Sequence, residues 1–204
     1  MHTERADVAR ATGATALEVA DSDRASSLTR ILAGERINGW TDPTYVSDDM
    51  LRGIEDEPRA RDKYADHTGC KVTEVGFITE DKWGFTIGYS PDGLVGDVGL
   101  IECKSRRSGK HIETVVAGKP PAENMAQLQT ALLVSGREWI DYVSYAGGMR
   151  LWVHRVFPEE RWFDAIVAAA AAFEKSVADV IARYKTGTSG FPLTERTIEM
   201  EMVI

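Results

Sequence analysis

Ser90-Pro91-Asp92-Gly93, followed after a short connection by Glu102-Cys103-Lys104, is the stretch that decides the fold. An acid in a tight turn precedes an acid-x-lysine triplet on an apolar strand by ten positions. Successive side chains of a strand point to opposite faces, so Glu102 and Lys104 project together while Cys103 points away. A buried strand rarely carries two charges on one face unless they are paired or bind something. Two converging carboxylates beside an ammonium suit a hard divalent cation and the hydrolysis of a phosphate ester.

The bland readings are specific too. A Pro-Asp-Gly turn uses its aspartate for local hydrogen bonding, and Glu102 could pair with Lys104 as a structural ion pair. Turn acid, spacing and the apolar flank of Leu100 and Ile101 together favour a metal site. Asp92 and Glu102 would hold Mg²⁺ or Mn²⁺, with the peptide carbonyl of Cys103 completing the shell. Lys104 would hold or deprotonate the attacking water and neutralise charge on the phosphate. A second metal would stabilise the leaving oxygen.

Outward from this stretch, Lys71–Thr79 and Phe85–Tyr89 read as strands before the turn and Leu100–Lys104 as the strand after it, with Gly96-Asp97 marking a hairpin between the last two. Glu138–Tyr145 and Leu151–Val156 follow, separated by Gly147-Gly148. Helices are expected over Arg24 to about Ala33, from the Ser47-Asp48-Asp49 cap to about His67, over Ala122 to Val134, and from Pro158 to Tyr184. Pro58 either kinks the second helix or starts another. The reading is α/β (α+β): a central mixed β-sheet of about five strands flanked by helices. One domain fits 204 residues, with 1–23 as an N-terminal extension and 186–204 as a C-terminal arm.

Composition narrows the classes. At 43% hydrophobic residues the chain can bury a sizeable core. No run is long enough to span a bilayer, and residues 1–20 lack a signal-peptide core, so a soluble, cytoplasmic chain with no membrane partner is expected. Cys70 and Cys103 form no disulfide framework or zinc pattern and read as free thiols. A net charge of −8 argues against an ordinary basic-patch DNA binder. It is compatible with an enzyme that concentrates acids at a metal centre. The densest basic stretch, Lys104 to His111, starts inside the acid-x-lysine triplet, which points Arg106 and Arg107 to phosphate-backbone contact.

Gln127 lies in Met125-Ala126-Gln127-Leu128-Gln129 on an otherwise apolar helix. A glutamine facing a metal site would orient the nucleophilic water without adding charge; Gln129 reads as a surface residue. Glu57 and Arg24, taken alone, are ordinary charged helix residues.

Together these segments resemble the lambda-type exonuclease family, also called YqaJ-like viral recombinases, of the PD-(D/E)xK nuclease superfamily. Ser90-Pro91-Asp92-Gly93-Leu94 and Leu100-Ile101-Glu102-Cys103-Lys104 match its central motifs, and Met125 to Gln129 looks like its helix motif, whose first glutamine helps place the water. Glu57-x-x-Ala60-Arg61 resembles the upstream motif, whose glutamate belongs to the active site. Arg24-x-x-x-Leu28-Thr29 resembles the N-terminal motif, whose arginine binds the DNA 5′-phosphate. The family's further acid before its SPDG motif has only Glu80 or Asp81 as counterparts here, each off the family spacing.

The resemblance implies a PD-(D/E)xK nuclease-like core and a Mg²⁺-dependent 5′–3′ exonuclease. It would digest one strand of linear duplex DNA to mononucleotides and leave 3′ overhangs. It further implies two ions per site, a ring-shaped homotrimer, a single-strand annealing partner, and a phage or prophage origin in a bacterial cytoplasm. The alternatives are an endonuclease of the same superfamily, restriction or junction-cleaving, and a catalytically inactive DNA-end binding module.

Overall fold

The computed structural model describes Leu17, residues 23–43 and residues 45–196; of Arg24 it describes the backbone alone. The rest of the expected N-terminal extension before Asp23, and residues 197–204 of the C-terminal arm, lie outside the described residues.

The sheet is built around β5 (Gly99–Ser105) and β6 (Trp139–Tyr145), which run parallel with Glu102 opposite Tyr142. Their apolar residues fall on both faces, as a strand covered on both sides requires. β4 (Gly93–Val95) and β1 (Val72–Thr73) extend the sheet antiparallel on one side, and β7 (Trp152–Val156) on the other. The order β1-β4-β5-β6-β7 is the expected five-stranded mixed sheet.

Two of its members differ from the sequence reading. Lys71–Thr79 is not one strand: it divides into β1 and β2 (Ile78–Glu80), and β2 pairs with β3 (Ile87–Tyr89) in a separate two-stranded sheet. The Gly96-Asp97 hairpin therefore joins β4 to β5 and not β3 to β5; Gly96 supplies the positive φ of 54° that this turn needs.

α2 (Asp48–Thr68) begins as its sequence demands. The Ser47 hydroxyl accepts from the Met50 amide, Asp48 and Asp49 occupy the first turn, and Gly69 at φ 71° closes the helix. It continues through Pro58, so no second helix starts there. Its buried Ala60 and Tyr64 form the face that meets the sheet, where Tyr64 joins Val95, Ile101 and Val143. The opposite face packs Leu100, Ile140 and Tyr142 against α4 (Ala122–Ser135) and α5 (Glu160–Gly187). α1 (Asp23–Asn38) lies on α5, tied by Arg36 to Glu174 at 2.7 Å.

The basic stretch after Lys104 does not stay a loop: α3 (Ser108–Ala117) starts there. Its His111 is buried between the Ser144 hydroxyl at 2.8 Å and the Arg150 carbonyl at 3.0 Å. Gln129 is also not a surface residue. It is fully buried, donating to the Phe157 carbonyl and accepting from the Glu159 amide, and so fastens α4 to the start of α5.

Gly99 shows how tightly the strands meet. A Cβ there would lie 2.2 Å from the Trp139 ring. That ring cannot retreat freely, because the Arg155 guanidinium lies 3.5 Å from its centroid and is itself held by Asp141. Gly99→Ala is expected to destabilise the chain by about 1–3 kcal/mol. Urea unfolding should show a lower midpoint at unchanged slope.

Candidate active site

β5 runs past the short β4, which pairs only with its residues 99–101, and Asp92 stands just before β4 begins. The Asp92 carboxylate accepts from the Cys103 amide at 2.7 Å, which brings the turn acid beside the strand that carries Glu102 and Lys104. Glu102 is 2% exposed. One of its oxygens accepts from Lys104 Nζ and from Gln127 Nε2, each at 2.6 Å, and the other from the Tyr89 hydroxyl. A carboxylate removed from water needs such donors. Here they come from a strand neighbour, from α4 and from β3.

Electrostatics show what this costs. Burial first, and then the Glu102 charge, push Asp92 up to about 8; the Cys103 amide opposes this and Glu57 adds to it. Burial lowers the Lys104 ammonium, but the charge and hydrogen bond of Glu102 outweigh it, so Lys104 stands above its ordinary value. Lys104 is therefore held as an ammonium, which donates to water or phosphate oxygens and cannot act as a base in that form. Burial pushes the Cys103 thiol up as well, and a neutral thiol is a poor nucleophile.

Glu57 on α2 reaches the same place from the other face of the sheet. Arg61, one turn further on, donates to Glu57 at 2.8 Å and to the Asp92 carbonyl at 2.9 Å, and pairs with Glu74 at 3.2 Å. One guanidinium thus fixes α2 to the Asp92 turn. Neither Arg61 nor Tyr89 was singled out by the sequence. Arg61 had its i,i+4 spacing from Glu57 as a signal; Tyr89 had none beyond its place before Ser90.

The structure does not bring Glu80 or Asp81 to this group. The β2–β3 register sets Ile78 opposite Tyr89 and Glu80 opposite Ile87, so the connecting turn lies at the far end of β3 from the site. Glu80 spends its carboxylate on the amides of Asp81 and Lys82, and Asp81 is exposed. The further acid beside Asp92 is Glu57. Arg106 bonds Tyr142 and Asn124, while Arg107 is exposed and paired with Asp49 at 2.7 Å. Arg24 lies in α1, with its side chain outside the described residues.

The donor set fits a hard divalent cation. Among the described residues no three His, Cys, Asp or Glu side chains form a ready cage. The fit rests on donor chemistry: two oxygen-donor acids share a buried site, and their mutual repulsion is what a cation would relieve.

A mixed sheet carrying a turn acid and an acid-x-lysine strand, with helices on both faces, is a PD-(D/E)xK nuclease-like core, and exonucleases are among the solved structures that share it. An alkaline exonuclease from Laribacter hongkongensis is 33% identical over 85% of this chain and 89% of its own, with a TM-score of 0.77. Its complex with dAMP gives 34% identity over 82% and 86%, with a TM-score of 0.75. A phage-related exonuclease from Haemophilus somnus 129PT, 14% identical over 80% and 85%, shares the fold at a TM-score of 0.63. No curated protein sequence matches the chain. Residues 4–138 match the YqaJ-like viral recombinase domain, and the chain belongs to that family.

Proposed function

We propose that this chain is a divalent-metal-dependent exonuclease that digests one strand of linear duplex DNA from its 5′ end, releasing mononucleotides and leaving 3′ overhangs for recombination by strand annealing. The observation that carries the reading is the group of Asp92, Glu102, Lys104 and Gln127 on one buried edge, in a chain one-third identical to an alkaline exonuclease.

Asp92, Glu102 and the Cys103 carbonyl would hold Mg²⁺ or Mn²⁺, and Glu57, whose charge acts on Asp92, would serve a second ion in place of Glu80 or Asp81. When bound, the metal supplies Lewis-acid polarisation of the phosphate and an acidified water. Lys104 donates to the attacking water and offsets charge on the phosphate. Gln127, held on Glu102, orients the water without adding charge. Tyr89 and Arg61 keep Glu102 and the Asp92 turn in place. Arg106 and Arg107 lie at the end of the same strand and meet the phosphate backbone.

Arg24 is assigned to the 5′-phosphate. Its replacement by Ala should remove the preference for 5′-phosphorylated over 5′-hydroxyl ends, read as relative digestion rates of the two substrates; a preference that persists places the anchor elsewhere. A ring-shaped homotrimer and a single-strand annealing partner belong to the same reading, and sedimentation tests the former. Among the described residues no helix is long and apolar enough to cross a membrane.

The experiment that separates this activity from an endonuclease is digestion of linear and closed circular duplex in Mg²⁺. The linear form should disappear while the closed circle stays intact. Cutting of the closed circle would refute the exonuclease reading, and tight end binding without digestion would favour an inactive end-binding module.

A further inference from the structure

Arg106 continues the alternation of β5. Its amide still donates to the Tyr145 carbonyl of β6 at 2.8 Å, so its side chain falls on the face of Glu102 and Lys104. Its surroundings differ from theirs. Lys104 is neutralised by Glu102. Arg106 has no ion pair among the described residues, although the chain holds 32 acids against 24 basic residues. Its guanidinium is held by neutral groups only. Nε and Nη2 donate to the Tyr142 hydroxyl at 3.3 and 3.0 Å, and Nη2 donates to Asn124 Oδ1 at 2.6 Å. Nη1 keeps its donors unused among the described residues.

The same helix that steadies the acid steadies this cation. Asn124 and Gln127 lie one turn apart on α4, and they bind Arg106 and Glu102 respectively. Tyr142 is fully buried. A partly buried guanidinium fixed in one orientation, uncompensated and next to Lys104, is prepared for an anion. Arg107 is the contrast: it is exposed and already paired with Asp49.

We propose that Arg106, set by Asn124 and Tyr142, forms a discrete phosphate subsite beside the Glu102–Lys104 pair and grips a phosphate group of the bound strand. Asn124 and Tyr142 are its positioning residues. This deepens the DNA-acting reading and rests on it. The two Nη1 donors left unused among the described residues can take phosphate oxygens while Nε and Nη2 stay engaged, and Asn124 and Tyr142 remove the rotamer freedom that a free arginine would lose on binding.

The test is duplex binding by the full chain with EDTA present, so that no strand is cut, over a series of salt concentrations. Arg106→Gln should raise Kd about tenfold and lower the slope of log K against log salt by about 0.9, one phosphate contact. Lys175→Gln on α5, which alters net charge equally, should change neither. Asn124→Ala and Tyr142→Phe keep the guanidinium and loosen it; each should raise KM about threefold or more at unchanged kcat in Mg²⁺ digestion, and they read the same subsite if Arg106→Gln does not fold. Equal losses on 5′-phosphate and 5′-hydroxyl duplexes identify an internal phosphodiester; a loss on the phosphorylated end alone identifies the terminal phosphate. Unchanged Kd and slope in Arg106→Gln, with only a lower Tm, overturns the proposal and leaves Arg106 as a strut between α4 and the sheet. Digestion by the unaltered chain reports separately on the nuclease reading.

Discussion

Lys104→Ala is expected to lower kcat on linear duplex by about 10³-fold, within the range seen on removing one preorganised charge or proton-transfer group from a reacting centre. The lysine is three-quarters buried, pairs with Glu102 at 2.6 Å and shares that oxygen with Gln127. Its removal takes away the ammonium that would face the phosphate and the water in the proposed mechanism. Glu102 is not stranded, because Gln127 and Tyr89 still donate to it. The fold should therefore survive, at a cost of about 1–3 kcal/mol for the lost charge-assisted bond, and DNA binding should stay within about twofold if Arg106 supplies the nearby grip. Circular dichroism, duplex binding and single-turnover digestion of the purified variant read the three quantities. Undiminished digestion would refute the assigned role.

Asp92→Asn is expected to have a similar effect on activity, on the order of 10³-fold, for a different reason, and to reveal that reason in the metal-free protein. The variant keeps the turn and an acceptor for the Cys103 amide but loses an ionisable metal donor. Calorimetric affinity for Mn²⁺ should drop about 100-fold or more. In EDTA the sign follows from the raised native value. Unfolded, an aspartate titrates near 3.9; in the folded chain Asp92 titrates at about 8. The folded state therefore retains a proton that the unfolded state has lost. The associated stability is full below about pH 4 and disappears as pH rises through about 8. Urea unfolding of the metal-free chain from pH 5 to 9 should show this decline, and Asp92→Asn should flatten it. Equal slopes in both proteins would mean that Asp92 is not the acid that burial and Glu102 hold protonated.

Asp92, Glu102, Lys104 and Gln127 were the legible part of the group around Glu102. A turn acid and a period-two acid-x-lysine declare themselves locally, since a proline-aspartate-glycine turn and an apolar strand are both short-range features. Gln127 was legible as a polar residue on an apolar helix, and it does meet Glu102. What the sequence left open is set by contacts distant along the chain. Arg61 finds the Asp92 carbonyl 31 residues away, and Arg106 finds Tyr142 36 residues away. The same distance effect explains Gln129, whose spacing looked like a surface position. Its partners are the backbone groups of Phe157 and Glu159, which arrive only when α5 folds back on α4. β4 was overlooked because three residues after a turn carry too little pattern. α3 was overlooked because its opening Ser108-Gly109-Lys110 looks like loop, while its burial depends on His111 and Thr114 packing on the sheet side.

Neither Glu80 nor Asp81 lies beside Asp92, and the reason is geometric. Counting back from the SPDG turn ignores the β2–β3 hairpin, which carries those acids away from the site. Glu57, far upstream in sequence, is placed near Asp92 by α2 and Arg61. Position in the fold, and not position in the chain, decides which further carboxylate acts on Asp92.

The central claim is metal-dependent hydrolysis that starts at a DNA end and proceeds from 5′ to 3′. Its most direct measurement is a digestion time course of linear duplex labelled on separate samples at the 5′ or the 3′ end of one strand, with Mg²⁺ or EDTA. With Mg²⁺ the 5′ label should appear first as a mononucleotide and the 3′ label should stay in long strands until late, and EDTA should abolish both. Early release of the 3′ label, internal fragments before any mononucleotide, or equal digestion in EDTA would contradict the claim.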